Sequence, residues 1–100
     1  MIGWRYIERA QAMRTKYIVG EIQSGSLPVL VAVVFPECVE HERAAQLCAE
    51  GPTGILGAGF FRVVDGQVEP YGESIGLKVA ARIEDAILIA KAIGLHSCNR

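Results

Sequence analysis

The sequence predicts a small α/β fold in which a sheet built of β-hairpins carries two packed helices. Two hairpin signals, each followed by a segment of helical character, predict this order of elements. A length of 100 residues suits one domain, so we expect residues 1–100 to fold as a unit. Hydrophobic residues make up 51% of the chain and charged residues 21%, a balance that excludes a disordered protein.

The first elements form a hairpin. Residues 2–13 have apolar positions at helical spacing but would suit a strand equally well, so their structure stays open at this point. Residues 16–22 and 28–35 are both rich in strand-forming side chains, and the turn sequence at residues 23–26 lies between them. We therefore expect two antiparallel strands, the second of them buried.

A helix should follow this hairpin. Pro36 suits the first turn of a helix, and Gly51 with Pro52 supplies the usual stop signals. We therefore expect a helix over residues 36–50. It would place His41 beside the apolar face that meets the sheet.

A second hairpin occupies the next part of the chain. Residues 55–64 and 67–77 are strand-like, and Asp65-Gly66 between them is among the strongest short hairpin signals. Glycines punctuate both segments, which suggests bulges or places where another group approaches the backbone closely.

The last predicted element is a helix over residues 82–93 that is apolar on most of its faces. Ile83 and Ile87 share one face, while Leu88 and Ile89 occupy much of the rest. Because a helix of this kind must be covered on two sides, we expect a second subunit to cover it and the protein to be a homodimer.

Composition limits the classes of partner and the location. A net charge of -1, with both signs interspersed, lacks the basic patch that nucleic-acid binding requires. The longest apolar run, residues 27–35, is far shorter than the roughly 20 residues of a membrane span. Charged residues near the start, Arg5 and Glu8 among them, interrupt any secretory signal, so we expect a cytoplasmic protein without nucleic-acid or membrane partners.

The odd number of cysteines leaves two alternatives. In an ordinary cytosol Cys38, Cys48 and Cys98 stay reduced, whereas in a thermophile one disulfide could lie within each chain and another across the twofold axis of the dimer. On one continuous helix Cys38 and Cys48 would be about 15 Å apart, too far for a bond. Cys98 is then the expected partner in any intrachain disulfide.

His41 has the clearest chemical context of the two histidines. It shares one stripe of the predicted helix with Cys38 and Cys48, so it is either a hydrogen-bonded histidine at the edge of the core or a functional residue. A metal site completed by His96 and Cys98 lacks the paired ligand signatures of zinc proteins. We therefore expect no metal ion.

The second candidate site lies at residues 71–78. Gly72 and Gly76 flank Ser74, and glycines beside a hydroxyl leave backbone amides free to bind an anion. The alternative is an ordinary glycine-rich strand end. The Gly-Ala-Gly step at residues 57–59 is too short for a dinucleotide fingerprint, so we expect no nucleotide cofactor.

In combination, these motifs resemble the phosphohistidine phosphatase family, also called the Janus/ocnus family. The resemblance lies in the order of Lys16-Tyr17 on an early strand, His41 at a helix start, the step at residues 57–59 and the stretch at residues 71–76. It runs over roughly residues 15–95 and preserves the order of the elements.

The resemblance implies a phosphatase or phosphate-binding protein that needs no metal or cofactor and acts on a phosphorylated substrate, phosphohistidine or another phosphoramidate. His41 matches the histidine that acts as base or transient phosphoryl acceptor. Lys16, Ser74 and the Gly76 amide match the groups that stabilise the phosphoryl oxygens.

One position departs from the family pattern. The family supplies an arginine to the phosphate after its glycines, whereas this chain has Phe60, and a guanidinium is the best partner of phosphate. Arg62, two residues further on, is the available substitute. The alternative hypothesis is therefore a non-catalytic homodimeric α/β module that keeps the fold only. Convergence of Lys16, His41 and Ser74 in one concave site would favour the phosphatase.

Overall fold

The first hairpin forms where the sequence predicts it in the computed structural model, which describes residues 14–95. Strands β1 (Thr15–Ser24) and β2 (Leu27–Pro36) pair antiparallel along their whole length. Gly25 and Ser26 connect them, and Gly25 has a φ of 67°, which glycine adopts without steric cost. This two-residue turn fixes the register of the pair.

The second hairpin, β3 (Gly57–Val64) and β4 (Gln67–Tyr71), turns at Asp65 and Gly66 as predicted. Both turn residues have a positive φ, 53° and 78°, as a type I′ turn requires. Strand β1 also pairs with β3, so the four strands form one antiparallel sheet in the order β2-β1-β3-β4. The predicted small α/β fold built of hairpins is confirmed.

The second strand of this hairpin is shorter than expected. Gly72 has a φ of 77°, and a left-handed residue turns the chain out of the extended strand. Strands β5 (Glu73–Ser74) and β6 (Val79–Ala80) then pair with each other in a separate two-stranded sheet. The expectation of one strand over residues 67–77 is therefore wrong beyond Tyr71.

Helix α1 (His41–Ala45) has only five residues, so the expectation of a helix over residues 36–50 is wrong. Pro36 still belongs to β2, and its carbonyl accepts a hydrogen bond from the Val39 amide at 3.0 Å, which closes a turn before the helix. A short 3-10 helix, Gly51–Gly54, follows α1. Strand pairing thus continues through the proline that the sequence suggested as a helix start.

The shorter helix changes the argument about the cysteines. Cys38 and Cys48 both lie outside α1, so separation along one helix no longer keeps them apart. They are nevertheless free thiols, Cys38 exposed and Cys48 buried. Burial raises the pKa of the Cys48 thiol, whose sulfur lies against Gly20 in the core. Cys98 lies outside the described residues, so a disulfide that involves it stays a prediction.

Helix α2 (Asp85–Ile93) begins three residues later than expected and ends at Gly94, which adopts a φ of 77° as its C-cap. Three of its residues are buried: Asp85, Ile89 and Ala90. Ile87 on the opposite face and Ile83 in the turn before the helix are turned to solvent, 67% and 90% exposed. The helix therefore covers the sheet with one face and leaves an apolar face uncovered by the described chain.

The sheet separates two cores. The core on the α1 side is formed by Ile18, Phe35, Ala44, Ala45, Cys48, Ile55 and Ala58. The core on the α2 side is formed by Tyr17, Val19, Ala32, Phe61 and Ile89. Tyr17, Ile18 and Val19 are successive residues of β1 and are all fully buried, so β1 is covered on both faces. The fold therefore has three layers.

Two further expectations concern a membrane span and the segment at residues 2–13. Within residues 14–95, no helix combines the length and the apolar character that crossing a membrane would require. The segment at residues 2–13, which the sequence left open between helix and strand, lies outside the described residues.

Candidate functional site

His41, the first residue of α1, lies between two aromatic rings and is 6% exposed. Its Nε2 lies 2.9 Å from the carbonyl oxygen of Gly59 on β3. A carbonyl oxygen can only accept, so Nε2 carries the proton and donates it. The imidazole meets Phe35 and Phe60 edge to face, with centroids 5.5 and 5.8 Å away. These contacts fix the ring against the sheet.

The surroundings of His41 favour its neutral form. Burial lowers the pKa of the imidazole, and the hydrogen bond to the Gly59 carbonyl opposes this effect. The positive charge of Lys16 lowers the pKa further, while the carboxylate of Glu42 raises it. The net direction is downward, so His41 is uncharged near neutral pH.

This shift predicts a dependence of stability on pH. Below the ordinary histidine pKa of about 6.5, the unfolded chain takes up a proton that folded His41 resists. Stability should therefore be fully present above that pH and fall as the pH falls below about 6.5 toward the lowered pKa of folded His41. Equilibrium unfolding across this range should give a steeper loss for the parent protein than for His41→Gln. Equal slopes would show that His41 does not contribute.

Lys16 extends from β1 toward the loop that precedes α1. Its ammonium donates to the carbonyl of Val39 at 2.6 Å and to that of Glu37 at 3.4 Å, and it lies 5.7 Å from the centroid of the Phe35 ring. These contacts hold the loop on the sheet. The same ammonium is close enough to His41 to affect its pKa, so the two predicted site residues are neighbours.

Ser74 is the last residue of β5, and Gly76 lies in the turn between β5 and β6. Ser74 is buried, and its hydroxyl accepts a hydrogen bond from the Leu77 amide at 3.2 Å. The Lys78 amide bonds to the carbonyl of Ser74 at 2.8 Å. Gly76 lies directly against the carboxylate of Glu42, and a Cβ at this position would overlap its oxygens. The turn therefore meets a carboxylate at the glycine where the resemblance implies a phosphate.

The predicted residues thus lie around the first turn of α1, on one side of the sheet, but as groups with partners inside the chain. His41 bonds to a strand carbonyl and Lys16 to two loop carbonyls. Ser74 bonds within its own turn. The bonds of Lys16 and His41 join parts of the chain that the sequence places 18 to 23 residues apart, whereas the bond of Ser74 spans three residues.

Phe60, which stands where the family has an arginine, lies against the guanidinium of another arginine, Arg14. The guanidinium of Arg14 lies 4.2 Å from the centroid of the Phe60 ring and is held there by Glu37, whose Oε2 accepts two bonds from it at 2.7 and 2.9 Å. Arg62, the expected substitute, instead pairs with Glu69 at 3.0 Å on the surface. Sequence analysis missed the role of Arg14, because its partner Glu37 is 23 residues away in the chain.

A second polar cluster, on the α2 side of the sheet, was missed by the sequence analysis. Asp85 is fully buried and accepts from the Tyr17 hydroxyl at 2.5 Å. The guanidinium of Arg82 donates to the same carboxylate at 2.6 and 2.9 Å, and the Arg82 backbone amide donates at 3.0 Å. Burial, followed by the bond to Asp85, raises the pKa of Tyr17. A tyrosine within an apolar strand was the available signal, since a buried hydroxyl needs a partner.

Comparisons with known proteins add no relative to these observations. No family model matches the chain, and no curated protein or solved structure does either. The resemblance to the phosphohistidine phosphatase family therefore rests on short motifs and on the order of elements, and it stays a prediction. In the part of the chain that the structure describes, no three His, Cys, Asp or Glu side chains are grouped as metal ligands.

Proposed function

We propose that the chain is a non-catalytic homodimeric α/β module in which His41 and its neighbours hold the fold together. The state of His41 carries this proposal. A general base for phosphoryl transfer needs a nitrogen within hydrogen-bond reach of the phosphoryl group or its attacking water. The Nε2 of His41 donates to Gly59, so only Nδ1 could act as the base, and the ring is buried between Phe35 and Phe60 with 6% of the residue exposed.

The other predicted phosphate ligands support the same proposal. Lys16 directs its charge at two backbone carbonyls, which satisfy an ammonium without any anion. Gly76 adjoins the carboxylate of Glu42, which would repel a phosphate at this position. Phe60 replaces the arginine of the family, and Arg14 above it is paired with Glu37.

Self-association is supported by apolar side chains that the described chain does not cover. Ile87, on the outer side of α2, and Ile83, in the turn just before this helix, are 67% and 90% exposed. On the sheet, Leu27, Val29 and Leu30 at the start of β2 are exposed as well. Large exposed apolar areas mark interaction surfaces more often than inert ones.

Replacing His41 with Ala should lower the free energy of unfolding by about 1–3 kcal/mol, because the variant loses a buried hydrogen bond and leaves the Gly59 carbonyl without its donor. The parent protein should show no hydrolysis of a phosphohistidine peptide. Chemical denaturation and a phosphate-release assay on the same samples measure both effects. Arg43→Ala, an exposed position on the same helix, is the matched control and should change stability by less than about 0.5 kcal/mol.

A second candidate function is phosphate binding or phosphatase activity at the same residues. It is favoured by one observation: Lys16 lies near His41, and Gly76 lies against Glu42, the residue that follows His41. Substrate binding would then have to displace Glu42 from Gly76 and expose the ring of His41. The same assay separates the candidates. Hydrolysis by the parent protein that His41→Ala abolishes, and that Lys16→Ala and Ser74→Ala reduce, would support the phosphatase and contradict the non-catalytic module.

A further inference from the structure

Strand β2 forms one edge of the four-stranded sheet, and no residue of the described range 14–95 pairs with its outer side. The sequence of β2 is long for an edge strand, at ten residues, and contains no charged side chain. Natural proteins protect sheet edges with short strands, charges, prolines or bulges. Whether this edge is protected depends on which backbone groups point outward.

The contacts of β1 determine those directions. The carbonyl oxygens of Val19 and Glu21 accept bonds from Leu56 and Ala49 at 2.8 and 2.7 Å, on the side of β1 away from β2. Successive residues of a strand direct their backbone groups to opposite sides, so Ile18, Gly20 and Ile22 bond to β2. Their partners in the register are Val33, Val31 and Val29.

The intervening residues of β2 therefore direct their N–H and C=O groups at the open edge. These residues are Leu30, Ala32 and Val34. Pro28 and Pro36 have the same orientation but no N–H to donate. The two prolines bound a stretch of three free donors and lie at equal distances from Ala32, which is the centre of the stretch.

The opposite edge of the sheet differs. Strand β4 has five residues and contains Glu69 and Pro70, and Glu69 forms an ion pair with Arg62. A short strand with a charge and a proline is protected against pairing. The sheet thus has one protected edge and one edge without charges, which is the expected difference when one edge is used as an interface.

We infer that the outer edge of β2 pairs antiparallel with β2 of a second copy of the chain, about a twofold axis at Ala32. The two sheets would then form one continuous sheet of eight strands. In this register Ala32 faces Ala32 of the second copy, and Leu30 faces Val34 of the second copy. All three free donors of each strand find acceptors. Pro28 of each strand lies opposite Pro36 of the other. The residues that lack an N–H therefore face each other, and no N–H between them is left without an acceptor.

The absence of charge on β2 favours a second copy over another partner. A twofold axis brings each strand against its own sequence, so a charged residue near the axis would meet a like charge. Strand β2 has none from Leu27–Pro36. The mainly apolar groove between β2 and α2 adjoins the same edge and extends the surface available to the second copy; it is lined by Leu30, Val31, Ala32, Leu88, Lys91 and Ala92, of which Lys91, on α2, is charged.

This inference rests on the homodimer of the proposed function but not on the role of His41. Two measurements on the unmodified full chain test it, both over a wide range of protein concentration. Light scattering gives the oligomeric state, and NMR gives the hydrogen-exchange rate of each backbone amide. We expect a dimer in which the amides of Leu30, Ala32 and Val34 are protected at high concentration and exchange faster on dilution. The amides of Val29, Val31 and Val33 should stay protected throughout, because they bond to β1.

A pair of variants at one position tests the backbone contribution. Leu30→Pro removes an outward donor that β1 does not use, and edge strands tolerate proline at such positions. It should raise the dimer dissociation constant by roughly tenfold or more. Leu30→Ala shortens the same side chain but keeps the donor, so it should weaken the dimer less than Leu30→Pro does.

Each other outcome contradicts the inference in a distinguishable way. A dimer whose Leu30, Ala32 and Val34 amides exchange freely would mean that the subunits meet elsewhere, which leaves the homodimer proposal intact. A strict monomer in which these amides are protected would mean that the chain covers its own edge. A strict monomer with free exchange would contradict both the edge pairing and the homodimer.

Discussion

Replacing Asp85 with Ala should lower the free energy of unfolding by about 3–5 kcal/mol, a larger loss than at any predicted site residue. The carboxylate is fully buried and accepts bonds from the Tyr17 hydroxyl, the Arg82 guanidinium and the Arg82 backbone amide. Its removal leaves the buried Tyr17 hydroxyl without a partner and the guanidinium without its counter-charge. It also removes the connection between β1 and the start of α2.

Urea denaturation of the parent protein and Asp85→Ala measures this loss. Glu84→Ala is the matched control, since the adjacent carboxylate also contacts Arg82 but its side chain is 72% exposed. Exposed ion pairs contribute little, so the control should change stability by about 0.5 kcal/mol or less. Asp85→Asn keeps the shape of the side chain and loses its charge, and it should lie between the two. A loss below about 1 kcal/mol for Asp85→Ala would contradict the structural role assigned to the cluster.

The two hairpins could be predicted because local chemistry determines them. Asp65 and Gly66 both adopt positive φ, and Gly25 does so in the first turn. Turn residues of this kind specify a hairpin wherever strand-forming segments flank them. Successive side chains of a strand then point to opposite faces of the sheet. His41 and Asp85 lie on opposite sides, because His41 contacts Phe35 of one core and Asp85 contacts Tyr17 of the other.

The helix after β2 could not be predicted correctly, because tertiary pairing overrides a local signal. Pro36 is compatible with a first helical turn, but the β1-β2 register extends to the pair of Thr15 with Pro36. Strand pairing therefore includes the residue at which the predicted helix would start. The chain reaches helical geometry only at His41, after the turn closed by Val39.

The candidate site shows the same division between local and distant contacts. Lys16 and His41 were singled out through the family resemblance, and the structure places them close enough for the Lys16 charge to lower the pKa of His41. Their hydrogen-bond partners could not be predicted, since Lys16 bonds to carbonyls 21 and 23 residues away and His41 to a carbonyl 18 residues away. Backbone carbonyls carry no sequence signal. A histidine that bonds to one looks the same in the sequence as a histidine in an active site.

Gly57 provides a test of how rigidly the buried cluster is held. A Cβ at this position would overlap the carboxylate of Asp85. The carboxylate cannot move aside without losing its bonds to Tyr17 and Arg82, so Gly57→Ala should lower the free energy of unfolding by about 3 kcal/mol. The loss should come from the overlap alone, since Gly57 is not among the glycines with positive φ.

A double-mutant cycle separates this overlap from a general sensitivity of β3. In the Asp85→Ala background the carboxylate is gone, so Gly57→Ala should cost at least about 1 kcal/mol less than it does in the parent protein. In the Glu84→Ala background its effect should be unchanged, because the three atoms nearest to a Cβ at Gly57 all belong to Asp85. Denaturation of the four proteins in each cycle gives the two coupling free energies. Additive losses at Gly57 and Asp85 would mean that the carboxylate relaxes freely, and the cluster would then not be the rigid connection between β1, β3 and α2 that its hydrogen bonds indicate.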